Sequence, residues 1–150
     1  MIVHSHGITA EEVPAVAWHL VAACPPRAVP VWLVVTGNEG IRGGLSAAIA
    51  RRGGVNCHAP AKPSELLRAM LEGSYRLAFV DIVHPLAGRV RDALRIAEDF
   101  AARPATRLAV CGGDDDRDGE VWARRLGACI YLPGVRFGPS LDALLAALRP

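Results

Sequence analysis

From about residue 28 to the last residue, short apolar runs alternate regularly with segments of helical period. AVPVWLVVTG (28–37) is apolar and β-branched and ends in turn residues, the pattern of a strand buried on both faces. GIRGGLSAAIARRGG (40–54) follows with Ile41, Leu45, Ala48 and Ile49 on one helical face and stops at a glycine pair. Four more pairs are predicted, with strands at 55–61, 75–83, 106–113 and 129–134 and helices at 63–73, 89–104, 120–128 and 140–148. Five strands each followed by a helix require crossover connections, and these give a parallel sheet covered on both faces. The fold class is therefore α/β and doubly wound, with the domain at residues 28–150.

Residues 1–27 stand outside the alternation as a helical extension and linker. Thr9-x-x-Glu12 has the form of a capping box, and Val13, Val16, Ala17, Leu20 and Val21 make an apolar stripe. This extra helix is expected to pack on the sheet domain or on another copy of the chain. The N-terminus lacks the basic start of a secretory signal, and no apolar run approaches the ~20 residues of a membrane span. Cys24, Cys57, Cys111 and Cys129 form no CxxC pair and lie in or beside apolar stretches, which predicts reduced, mostly buried thiols in a cytoplasmic protein. A net charge of +2 with no cationic run gives no reason to expect nucleic acid or an anionic membrane as a partner.

Three stretches resemble the receiver domain of two-component response regulators across residues 30–149. VWLVVTGNEGIRGGL is similar to that family's first strand and acidic turn, YRLAFVDIVHP to its phosphoacceptor strand, and GACIYLPG to its fifth strand. The resemblance implies a flavodoxin-like sheet of order 2-1-3-4-5, with Asp81 at the acceptor position and Tyr131 at that of the switch aromatic. It also implies where the remaining groups should stand. The two acidic residues that help to hold Mg²⁺ fall on Thr36 and Gly37, the hydroxyl residue on Cys111 or Gly112, and the lysine on Gly134. None carries the required group. The sole lysine, Lys62, belongs near the second strand, and the planar guanidinium of Arg136 is a poor replacement. Phosphoryl transfer to a carboxylate without that cationic help loses most of its electrostatic assistance.

Other constellations have functional and ordinary readings side by side. Asp81 is a residual acceptor or an inherited carboxylate that caps a loop. Asp114-x-Asp116-x-Asp118-Gly119 matches half of a calcium loop, but its twelfth position is Arg125, so helix capping in a solvated acidic loop is preferred. His4 and His6 lack a third ligand, and adjacent Cys57 and His58 point to opposite faces of a strand. His84 is a loop histidine that could face Asp81. Gly37-x-x-Gly40 and Gly43-Gly44 match neither GxGxxG nor a P-loop.

The expectation is a degenerate pseudo-receiver, non-catalytic and without cofactor or metal, acting through protein contacts. Its partner is expected to be a second copy, with an effector domain beyond residue 150 or a separate effector protein. By the same resemblance the interface would use the segment from Glu120 to Leu148, with Trp122, Tyr131 and Leu144, joined by Val13, Val16 and Leu20. Two alternatives remain. One is a phosphorylatable regulator using Asp81 with oxygens from Glu39 or the Asp114–Asp118 loop. The other is a small-ligand binder using the crevice of Gly37, Asp81 and Gly112.

Overall fold

The computed structural model describes residues 28–86 and 88–148; the N-terminal extension, with Val13, Val16, Leu20 and Cys24, lies outside the described residues. The elements alternate without exception: β1 (Val31–Val35), α1 (Glu39–Arg52), β2 (Asn56–His58), α2 (Pro63–Glu72), β3 (Leu77–Asp81), α3 (Val90–Ala101), β4 (Arg107–Gly112), α4 (Arg117–Leu126), β5 (Ile130–Pro133) and α5 (Pro139–Ala147). The five strands are parallel and lie in the order β2-β1-β3-β4-β5. β3 is buried from end to end because it sits centrally with helices on both faces.

Side chains alternate between two cores. Leu33, Val35, Ala78, Val80, Leu108 and Val110 meet Leu66 of α2, Phe100 of α3 and Ala123 of α4. Trp32, Val34, Leu77, Phe79, Ala109 and Cys111 meet Leu45 and Ile49 of α1 and Leu141 and Leu145 of α5. That parity decides which strand-end residues can meet above the sheet.

Helix starts follow local chemistry. Asn38 Oδ1 accepts the Ile41 amide at 3.1 Å to cap α1, and prolines occupy the first turns of α2 and α5. α4 begins at Arg117, three residues before the helix read from sequence, because Asp116 Oδ1 accepts the Gly119 amide at 2.8 Å and draws Arg117–Gly119 into its first turn. The thiols also differ from expectation. Cys111 is buried and Cys57 half-buried, but Cys129 is exposed, lying just before the edge strand β5. Among the described residues no helix is long and apolar enough to cross a membrane.

Candidate functional site

Parallel pairing aligns Asp81 with Cys111, so their side chains emerge on the same face of the sheet. Thr36, one residue past β1, has the same parity. It is fully buried, Asp81 is 3% exposed, and the Thr36 hydroxyl donates to Asp81 Oδ2 at 2.7 Å. The same hydroxyl accepts the Asn38 amide at 3.0 Å, which uses both its donor and an acceptor capacity.

The chain after β3 closes on the other carboxylate oxygen. Asp81 Oδ1 accepts the Val83 amide at 2.9 Å and the His84 amide at 3.0 Å, an Asx-type turn. His84 Nδ1, in the tautomer that carries its proton there, donates to Oδ2 at 3.2 Å. A carboxylate offers about four lone-pair directions. Here each oxygen accepts two hydrogen bonds, so the Asp81 carboxylate is saturated by its own surroundings.

The two neighbouring turns are locked together. The Gly37 amide donates to the His84 carbonyl at 2.6 Å. A Cβ on Gly37 would lie 2.7 Å from the Pro85 carbonyl oxygen, so only glycine allows this approach. A crevice of about 220 Å³ is lined by Asp81 and His84 together with Cys111, Gly112, Asp114 and Gly134. Burial, and secondarily the charge of Asp81, pushes the Cys111 thiol far above its ordinary range.

Cys111 shares the face of Asp81, whereas Gly112 has the opposite parity and faces Tyr131. A Cβ on Gly112 would overlap the Tyr131 ring, with Cε2 at 2.7 Å and Cζ and Oη nearer. The ring fills the space a side chain would take, and its hydroxyl donates to the Asp116 carbonyl at 3.2 Å. Burial raises the Tyr131 phenol above its ordinary value, and the charges of Asp116, Glu120 and Cys111 add to this.

Gly134 is filled from outside in the same way. Its φ is +61°, its amide donates to the Gly112 carbonyl at 2.9 Å, and Asp114 lies over the face a Cβ would occupy, with Cγ at 3.0 Å. Arg136 reaches Asp114 Oδ1 at 3.5 Å, not Asp81.

Among the described residues, the side chains around Asp81 form no ready-made ligand set for a divalent cation. Such an ion beside Asp81 would need further oxygen ligands. Thr36 spends its hydroxyl on Asp81, Gly37 has none to offer, and the Glu39 carboxylate is 92% exposed, 3.9 Å from Arg42. The three alternate aspartates share no centre: Asp114 covers Gly134, Asp116 caps α4, and Asp118 lies in its first turn. Among the described residues no three His, Cys, Asp or Glu side chains converge as a ligand set.

Of the surface residues read from sequence, Trp122 and Tyr131 pack half-buried on the core shared by α2, α3 and α4. Leu144 packs on the opposite core. They flank the β5 edge from two sides and do not form one patch. His58 lies apart, with Nδ1 2.8 Å from the Tyr75 hydroxyl, and Cys57 donates to the Ser46 hydroxyl at 3.6 Å. His4 and His6 lie outside the described residues. Sequence reasoning counted Thr36 as a missing acid and did not find it as the partner of Asp81. The available signal was a hydroxyl residue and an aspartate at the carboxyl ends of two successive inner strands.

The fold is that of response-regulator receiver domains. It is similar to a response regulator from Thermotoga maritima, at 19% identity and a TM-score of 0.65 over 80% of this chain and 97% of that one. A CheY-like receiver domain protein from Methanospirillum hungatei gives 19% identity and a TM-score of 0.63, over 81% of this chain and 94% of that one. A Burkholderia pseudomallei response regulator, solved with a phosphorylated aspartic acid, a calcium ion and citrate, gives 25% identity and 0.62, over 80% and 66%. No family model and no curated protein matches the sequence.

Proposed function

We propose that this protein is a non-catalytic pseudo-receiver that signals through protein contacts and does not depend on Mg²⁺-assisted phosphorylation of Asp81. The receiver fold supports a signalling role. One observation carries the departure from phosphoryl chemistry: both oxygens of Asp81 are taken up by Thr36, the Val83 and His84 amides and the His84 ring. Attack on a phosphoryl group would break several of these bonds, with no ligand set for a cation to offset the developing charge. Asp81 is instead the knot that ties the β1–α1 turn to the β3–α3 turn.

The partner surface is the β5 edge with its flanking helices, with Trp122 and Tyr131 on one side of the edge and Leu144 on the other. A second copy is the proposed partner there, and signalling passes to an effector in the same chain or a separate protein, in the cytoplasm. Intact-mass measurement after acetyl phosphate and Mg²⁺ tests this reading. The expected result is no phosphoryl adduct on a folded protein. An adduct that disappears in Asp81→Asn would overturn it in favour of a phosphorylatable regulator.

A further inference from the structure

Helix α2 carries an apolar row that the described domain leaves uncovered. Leu66 and Ala69 face the sheet and are buried. Leu67 and Leu71, one turn apart, are 60% and 77% exposed. Pro63 stands one turn before Leu67, and half-buried Met70 lies beside the pair, so the row is continuous with the edge of the core and holds no charge. Isolated exposed leucines are ordinary, but this pair stands one turn apart with no charge in its row, a face that an apolar segment fits.

The chain itself supplies a matching segment. Residues 13–21 (VPAVAWHLV) contain no Asp, Glu, Lys or Arg and repeat apolar residues at helical spacing. The chain also enters the domain at the right place. The Val31 carbonyl accepts the Arg76 amide at 2.9 Å, and Arg76 follows the end of α2 at Glu72 by only four residues. The start of β1 and the C-terminal end of α2 therefore lie at the same end of the sheet. The nine residues 22–30 can span up to ~30 Å. The ten-residue α2 is only ~15 Å long, so the whole row is within reach.

We propose that residues 13–21 dock their apolar stripe on Leu67 and Leu71 of the same chain, as an intramolecular cover for α2. This surface is separate from the β5 edge and independent of the fate of Asp81. Hydrogen exchange followed by mass spectrometry on the full chain tests it, comparing the native sequence with Leu67→Glu/Leu71→Glu and, reciprocally, Val16→Glu/Leu20→Glu. Both α2 leucines are largely exposed in the domain, so their replacement leaves the sheet intact, and slow exchange in β3 and β4 verifies that. Each double variant is expected to speed exchange by about tenfold or more in residues 13–21 and in α2 alike, with native-chain rates unchanged on dilution. Exchange in residues 13–21 indifferent to the α2 charges would overturn the proposal. So would native-chain protection that falls on dilution, which would place the segment on a second copy.

Discussion

Replacing Gly112 by alanine places a methyl group where the Tyr131 ring now lies. Gly112 is not among the glycines with positive φ, so its backbone accepts alanine, and the substitution tests the ring alone. Tyr131 sits on the edge strand and can leave only by turning outward, losing its bond to the Asp116 carbonyl. Returning roughly 60–100 Å² of ring surface to water costs about 1.5–2.5 kcal/mol. The long, partly exposed hydrogen bond adds about 0.5 kcal/mol. Alanine in a strand recovers about 0.5–1 kcal/mol relative to glycine. The net expectation is a loss of about 1–2.5 kcal/mol.

Two assays separate ring expulsion from a general loss of stability. The chain has two tyrosines, Tyr75 and Tyr131, both raised above the ordinary phenol value chiefly by burial. In Gly112→Ala the tyrosinate absorbance titration should show one of them moving back toward that value. In a Tyr131→Ala background, urea unfolding should find Gly112→Ala neutral or slightly stabilising, because nothing then occupies the space. An equal cost in both backgrounds, with an unchanged titration, would refute the interlock.

Thr36→Val keeps the shape but removes the donor to Asp81 and the acceptor for the Asn38 amide, so urea unfolding should show a loss of about 2–3 kcal/mol that Thr36→Ser largely avoids. Alkaline pH should destabilise the protein, because the raised Cys111 and Tyr131 groups keep their protons when folded after the unfolded chain has released them. Their contribution is fully present below the unfolded values near pH 9 and 10 and declines above them; denaturation midpoints should fall there, and less steeply in Cys111→Ala.

The sheet was legible because each strand announces itself as an apolar run between turn residues, and the helices between strands leave little choice but parallel pairing. Boundaries were less legible where a side chain acts locally: Arg117–Gly119 reads as a loop until Asp116 is seen to cap it. Asp81 could be placed from its strand, but not its saturation. Thr36 is 45 residues away, and the Val83 and His84 amides reach Asp81 only because the chain turns back after β3. The pairing of Gly112 with Tyr131 was hidden for a related reason. It depends on side-chain parity across β4 and β5, where Val110 pairs with Tyr131, and a one-residue slip exchanges Gly112 for Cys111. Exposed Cys129 was misjudged because an apolar neighbourhood in sequence does not reveal an edge.

The positions at which the resemblance to receivers implies a reactive group are not merely empty, and this determines what introducing those groups would do. The Pro85 carbonyl stands where a side chain on Gly37 would begin, and Asp114 stands where one on Gly134 would begin. In Gly37→Asp the new Cβ meets backbone, so the turn can accept it only by breaking the Gly37 amide bond to His84. In Gly134→Lys the side chain is forced into a left-handed conformation and must displace Asp114, whose nearest cation is Arg136. Each substitution should cost about 1–3 kcal/mol, and the double variant should still take up no phosphoryl group from acetyl phosphate with Mg²⁺. Asp81 would remain bonded to Thr36 and His84 in both cases. If the double variant gained an Asp81-dependent adduct, the missing ligands alone would explain the inert site, and the hydrogen-bonded closure around Asp81 would be incidental. Continued inertness in a folded double variant would mean that the closure itself blocks the chemistry.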